Sequence, residues 1–227
     1  MNVLKIVLIV ILFSLVSINA QTFGGSLQLA YPHGEFKENV DRMAYGFQLQ
    51  GTIWSPNKLR PVTLGLTGGF ITYGEEKTRR PLSTTIPDVT VDVSRSNNIA
   101  NLGLLLMISP FQGTWRPYLE GIVGGAYMYT SSEVSSQFNN NSVFEDVNKD
   151  DLTWNAGVGG GFLIKVSKDN DNDIYLDIKT RYLWGGTAEY LKEGSVQIVN
   201  GQALYDVKKS KTNMWNLHIG VLYYMNR

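Results

Sequence analysis

The 227-residue sequence contains no cysteine. That excludes a disulfide framework, a thiolate nucleophile, a thiolate metal site and a lipid-bearing N-terminal cysteine. An exported chain of this kind is held folded by its strand ladder and packing alone. Neither sign of charge is in excess, since 20 Lys and Arg balance 20 Asp and Glu. Nothing in that balance points to nucleic acid. Histidine is scarce, with only His33 and His218. Long apolar runs are lacking beyond the first twenty residues. Mean hydropathy is −0.11. This excludes a bundle of membrane helices but not a membrane barrel, whose strands are only half apolar.

The N-terminus has the form of a secretory signal. Lys5 gives a positive start, and Ile6 to Phe13 is unbroken apolar sequence. Ile18-Asn19-Ala20 reads as a cleavage site with a small last residue. The run falls short of the ~20 residues a spanning helix needs, and no basic stop-transfer group follows. The expected division is a signal peptide over 1–20 and one barrel domain over 21–227.

Strict alternation dominates the rest. From Leu152 to Trp184 the chain reads as a long hairpin. Trp154, Ala156, Val158, Gly160, Phe162 and Ile164 share one face, and Asn155, Gly157, Gly159, Gly161, Leu163 and Lys165 the other. After a turn over 168–173, Ile174, Leu176, Ile178, Thr180, Tyr182 and Trp184 oppose Tyr175, Asp177, Lys179, Arg181 and Leu183. Period-2 alternation of this length means strands with one apolar and one polar side. A turn centred near Asn170 predicts Gly161 opposite Arg181, and Lys165 opposite or one step from Asp177.

The same pattern recurs at Leu27–Tyr31, Met43–Ile53, Val62–Phe70, Ala100–Ile108, Leu119–Tyr129 and Trp215–Tyr223. The compact turn 55–61 predicts Thr52 facing Thr63 and Gln50 facing Gly65. A second turn, 109–117, repeats its Ser-Pro opening and Arg-Pro close. The long polar segments 32–41, 75–97, 131–151 and 185–211 read as loops. About eight strands result, near the ~9–11 residues of a tilted membrane strand. Short and long connections alternate, which is the asymmetry of an outer-membrane barrel, with both mature termini on the turn side, the periplasm.

A soluble lipocalin-type barrel has the same periodicity with its apolar face inside. The composition of the polar face separates the two. A water-facing sheet is rich in Lys, Glu and Asp, whereas this face is mostly Gly, Thr, Gln, Asn and Ser with few charges. Small polar groups suit the narrow interior that eight strands enclose. The apolar face carries almost no charge, consistent with a cost of ~2–4 kcal/mol for Arg or Lys at the bilayer midplane. Aromatic residues gather at strand ends, where the headgroup level favours them. The expected fold is all-β: an eight-stranded antiparallel up-and-down transmembrane β-barrel with short periplasmic turns and long extracellular loops.

Pro117-Tyr-Leu-Glu-Gly-Ile-Val-Gly-Gly-Ala-Tyr127 and Trp154-Asn-Ala-Gly-Val-Gly-Gly-Gly-Phe162 resemble small outer-membrane barrels of the OmpA and OmpX type. The last strand resembles that family's assembly signal, although Met225-Asn226-Arg227 follow the aromatic pair. The resemblance implies a plugged interior and assembly by the barrel-assembly machinery. It specifies fold and location better than activity.

Glu120, Lys165, Asp177, Lys179, Arg181 and His218 are expected to face inward as a polar network that fills the barrel. A gate or polar pathway is the rival reading. As a catalytic base of a lipid A-modifying enzyme, His218 needs a nucleophile within reach, but Gly220 stands where a deacylase pattern has Ser. His33 lies in a loop without an obvious partner. The Asp169-x-Asp171-x-Asp173 run lacks the later ligands of a calcium loop, with Thr180 at the twelfth place. Glu145, Asp146, Asp150 and Asp151 form a loop acidic group that solvation explains. Arg79, Arg80, Lys208, Lys209 and Lys211 are expected lipopolysaccharide contacts on the outer loops. No cofactor and no metal is expected. The functional expectation is a non-enzymatic outer-membrane barrel whose loops meet lipopolysaccharide or a surface protein. The alternatives are a narrow channel or a transport barrel for small apolar molecules, an accessory barrel of a secretion or motility machine, and a lipid A-modifying enzyme.

Overall fold

The computed structural model describes residues 22–81, 90–136, 139–167, 172–199 and 202–225. The expected signal peptide lies outside them. Eight strands close a barrel: β1 (Thr22–Pro32), β2 (Ala44–Thr52), β3 (Val62–Pro81), β4 (Thr90–Ile108), β5 (Trp115–Ser136), β6 (Asn139–Lys165), β7 (Asn172–Gly185) and β12 (Met214–Met225). All pair antiparallel with their neighbours, and β12 returns to β1 to close the cylinder. Closure removes the open sheet edge that a membrane does not tolerate.

Alternation sets the two faces as the sequence implied. Outward side chains are apolar and exposed: Leu27 is 75% accessible, Leu104 61%, Leu119 65% and Phe162 55%. Inward ones are polar and buried, with Lys179 at 2% and His218 at 0%. The barrel is therefore apolar outside and filled inside, the reverse of a lipocalin.

The two registers expected from turn lengths are each wrong by two residues. Gly161 faces Lys179, not Arg181, and Leu163 faces Asp177. Thr52 faces Gly65 and Gln50 faces Thr67. A shift of two preserves parity, so every side chain keeps its face while its cross-strand partner changes. Lys165 faces Tyr175 and pairs with Asp173 at 2.5 Å.

Two of the expected long loops are strands. β3 and β4 pair on to Pro81 and Thr90, and β5 and β6 pair past Glu133 and Glu145. At ~3.3 Å per residue, the 22 residues of β5 and 27 of β6 extend far beyond the barrel wall. Their upper parts are polar, and no apolar face marks them as strand in the sequence. A bulge between Thr72 and Gly74 leaves Tyr73 unpaired in the β3–β4 ladder, and Tyr73 is buried in the barrel mouth. Bulges commonly re-aim a side chain in this way.

The first loop contains a short helix, α1 (Glu35–Asn39), entered through Gly34 at φ 60. The last loop contains β8 (Thr187–Tyr190), β9 (Val196–Val199), β10 (Gln202–Tyr205) and β11 (Lys208–Lys211). These form two small two-stranded sheets, β8 with β11 and β9 with β10.

Candidate functional site

Two glycines position the centre of the lumen. Gly159 on β6 stands between Glu120 on β5 and Arg181 on β7, and Gly161 stands between Tyr118 and Lys179. Four long side chains thus cross over two positions that have none. A Cβ at Gly161 would lie 2.6 Å from the Ile178 carbonyl and 2.9 Å from the Tyr118 ring. The glycine run of Trp154–Phe162 is the bed on which an ion layer lies.

In that layer Arg181 donates to Glu120 Oε1 from Nε at 2.8 Å and lies within 2.7 Å of it through Nη2. Arg181 Nη1 reaches across to Gln48 Oε1 on β2 at 2.9 Å. Lys179 lies 3.7 Å from Glu120 and 3.4 Å from Asp177, and donates to Gln50. Tyr118 donates to Asp177 Oδ1 at 2.5 Å. Gln48 donates onward to Thr67 at 2.5 Å. Two carboxylates balance two cations, and every one of the four is at least 96% buried. Mutual pairing of this kind is what makes buried charge tolerable.

Of the six residues expected inside, Glu120, Asp177, Lys179 and Arg181 form this layer. His218 faces inward beside it, with its Nδ1 3.4 Å from the Ser26 hydroxyl. Lys165 is at the turn-side rim with Asp173 instead, because its strand ends there.

Apolar clusters cap the layer on both sides. On the turn side Met107, Tyr118, Leu163, Tyr175, Leu222 and Tyr224 pack together. Arg116 lies beside them, 4.9 Å from the Tyr224 ring centroid and 5.4 Å from that of Tyr175. It donates to the Phe111 and Pro56 carbonyls at 2.9 and 2.8 Å, so it ties both compact turns together. On the loop side Phe36 of α1 packs edge-on against Tyr73 and Tyr190. Val40, Ile71, Ile99, Met128, Leu183 and Met214 belong to the same cluster. Tyr73 donates to the Leu191 carbonyl at 3.1 Å, and the Lys211 amide donates to Glu35 at 3.1 Å, so the first and last loops lock in the mouth.

Sequence reasoning did not single out Gln48, Gln50, Tyr118, Arg116 or Phe36. Phe36 alone carried a usable signal. It and Val40 are four apart in a polar loop, the spacing of one apolar helix face.

The outer cations are mostly engaged. Lys209 and Lys149 both pair with Glu189, at 3.2 and 2.9 Å, and Lys208 pairs with Asp206 at 2.9 Å. The hydrogen bond from Lys149, then that from Lys209, holds the Glu189 carboxyl below its ordinary value. Lys211 is exposed. Arg79 is in the raised part of β3, and the Arg80 side chain lies outside the described residues. In the acidic group, Asp150 accepts from Tyr127 and Asp151 from the Glu189 amide. The Glu145 and Asp146 side chains, like Asp169 and Asp171, lie outside the described residues. Among the described residues no cluster of three or more His, Asp or Glu is placed to hold a metal. His33 packs against Tyr182 on the outer wall, with Nδ1 3.1 Å from the phenol oxygen. Trp184 and Trp215 flank that tyrosine.

No family model and no curated protein sequence matches the chain. Solved structures do. Neisserial surface protein A is 10% identical, with 90% of this chain and 96% of that one covered and a TM-score of 0.44. A major outer membrane protein from Thermus thermophilus is 10% identical over 89% and 98%, with a TM-score of 0.40. Ail, the attachment invasion locus protein of Yersinia pestis, solved with the heparin analogue sucrose octasulfate, is 15% identical over 88% and 95%, with a TM-score of 0.32. In architecture the chain resembles small eight-stranded outer-membrane β-barrels.

Proposed function

We propose that the protein is an integral outer-membrane barrel, closed to solute flow and without enzymatic activity, that works through the β-hairpins raised from its loop end. The observation that carries this is the lumen. A neutral ion layer spans it from β5 and β7 to β2, between apolar clusters at both ends. An exposed apolar wall around a filled polar interior suits lipid, because barrel strands in a bilayer alternate in this sense. The imidazole of His218 is fully buried on the lumen side, away from any lipid substrate.

The raised β3–β4 and β5–β6 hairpins are the natural contact surface. Arg79 of the raised β3 and Lys208, Lys209 and Lys211 of β11 are the proposed cations for lipopolysaccharide phosphates or a surface partner, and Arg80 follows Arg79 in the sequence. Export through the 1–20 signal, barrel-assembly machinery during biogenesis and periplasmic termini complete the reading. The test has two parts. Purified protein in a planar bilayer is expected to give no steady unitary conductance. Trimming both hairpins down to the barrel wall is expected to weaken binding to lipopolysaccharide-bearing surfaces while the unboiled band keeps its shifted electrophoretic mobility. A stable conducting pore refutes the closed lumen, and undiminished binding after trimming refutes the hairpins as the contact.

A further inference from the structure

A cleft lies on the outer surface of the loop end, where β2 begins well below the top of β3. The β2–β3 ladder starts at Tyr45 opposite Thr72, whereas β3 runs on to Pro81. The notch this leaves holds a cavity of about 330 Å³, lined by Arg42, Met43, Tyr45, Thr72, Glu75 and Lys77. A second cavity of about 280 Å³ adjoins it toward the last loop, and Arg42 and Tyr73 line both.

Charge favours the first cavity for an anion. Arg42 and Lys77 bring two cations to it against the single carboxylate of Glu75. In the second, Arg42 and Lys192 are balanced by Asp41 and Glu193. Arg42 pairs with Glu193, and Lys77 pairs with Glu75 at 3.0 Å. These four side chains are between 42% and 74% exposed, and exposed pairs of this kind hold weakly. A phosphate therefore takes the cations from their carboxylates at little cost, and a guanidinium fork fits two of its oxygens. Tyr45 is 55% exposed, and its hydroxyl donates to Glu75 at 3.3 Å, which holds the ring beside the cations. Below the cleft the wall is apolar. Met43 is 49% exposed and Phe47 51%, and the Phe47 and Phe70 ring centroids lie 5.9 Å apart. A polar cleft thus runs directly into lipid-facing surface.

We propose that the β2–β3 notch binds the phosphorylated sugar headgroup of an outer-leaflet glycolipid. Arg42 and Lys77 take the phosphate, Tyr45 lies against the sugar ring, and Glu75 accepts from its hydroxyls. The acyl chains run down the wall past Met43 and Phe47. The cavity suits one headgroup unit rather than an extended glycan, since small-molecule sites begin near ~300 Å³. A free sugar phosphate has the same polar chemistry but leaves the apolar strip below unused. The inference rests on the reading of the chain as an outer-membrane barrel, and it places a lipid contact in the wall beneath the hairpin cations.

The test is native mass spectrometry of the folded protein in detergent micelles, titrated with diphosphoryl lipid A. Dephosphorylated lipid A, phosphatidylglycerol and soluble glucosamine phosphate are the comparison probes. Diphosphoryl lipid A is expected to bind more tightly than each of them, by about tenfold over its dephosphorylated form. Arg42→Gln/Lys77→Gln is expected to weaken it by about tenfold. Lys58→Gln/Arg60→Gln removes the same charge from exposed positions of the compact turn at the other end and is expected to leave binding unchanged. Tyr45→Ser is expected to erase the preference over phosphatidylglycerol. All variants are expected to keep the heat-dependent band shift of a folded barrel. Equal binding by Arg42→Gln/Lys77→Gln, or equal loss in the turn-side pair, overturns the notch but leaves the hairpin contacts standing, because the hairpins are intact in both. Phosphatidylglycerol bound as tightly as lipid A by the unaltered protein overturns the sugar, and tight binding of soluble glucosamine phosphate overturns the lipid source. A missing band shift in the unaltered protein is a different failure, of the barrel reading itself and of the notch with it.

Discussion

Removing the Glu120 carboxylate tests the ion layer most directly. Glu120 takes both close contacts from Arg181, at 2.8 and 2.7 Å, and the 3.7 Å contact from Lys179. Glu120→Ala leaves Arg181 and Lys179 with Asp177 as the one acid of the layer, two cations against one anion. Uncompensated buried charge of this kind costs ~3–5 kcal/mol. Arg181→Met is expected to cost a similar amount, because Glu120 then keeps only Lys179. The double variant Glu120→Ala/Arg181→Met removes one charge of each sign and leaves Lys179 with Asp177 at 3.4 Å. Its cost is expected to fall short of the sum of the single costs by about 2 kcal/mol, within the ~0.5–3 kcal/mol usual for contacting residues. The assay is equilibrium urea unfolding in lipid vesicles, followed by tryptophan fluorescence and by the electrophoretic shift. If each single change costs under ~1 kcal/mol and the costs simply add, the layer is not the coupled buried network described above.

Three further outcomes follow from the geometry. Gly161→Ala is expected to destabilise by about 1–3 kcal/mol through overpacking, since its Cβ meets the Ile178 carbonyl and Lys179 at 2.6 Å. Gly121→Ala, whose Cβ has nothing within 4 Å, is its neutral control in the same unfolding assay. Phe36→Ala empties a side chain that is 1% exposed. Its cost of ~3–5 kcal/mol is expected to appear locally, as faster proteolysis of 32–41 with an intact barrel band. Glu189 has a lowered folded pKa. Its contribution to docking β8 on β6 and β11 is therefore full above the ordinary carboxylate range and is lost as pH falls through its own lower value. Hydrogen exchange in β8 is expected to rise over that acid window, and a β8 indifferent to it would refute the pairing.

The barrel was legible because parity is local. Alternation around Lys179 and Arg181 tells which face each residue takes without knowledge of its neighbours. Register is not local. It depends on how many residues the turns at 55–61 and 168–173 consume, and alternation does not fix that number. For the same reason Gln48 and Gln50 were read as polar face but not as partners, since Arg181 reaches Gln48 across the lumen from a distant strand. The raised hairpins escaped notice because strands free of the membrane need no apolar side, so Glu75 to Pro81 carries no period-2 signal. Phe36 was visible as an apolar residue in a loop, but its seat between Tyr73 and Tyr190 depends on a bulge in β3 and on the last loop.

Arg116 ties completion of the cylinder to its last strand. Its carbonyl partners, Pro56 and Phe111, sit in turns of the first five strands, whereas its two ring partners arrive on β7 and β12. β12 also has to find β1, at the far end of the sequence. Contacts so distant in sequence form late, after the entropy of closing the intervening chain has been met. An unfinished sheet therefore holds Arg116 with its carbonyls taken and its Tyr224 face bare. Arrival of Tyr224 covers that face, and the guanidinium becomes a keystone set at the moment the circle shuts.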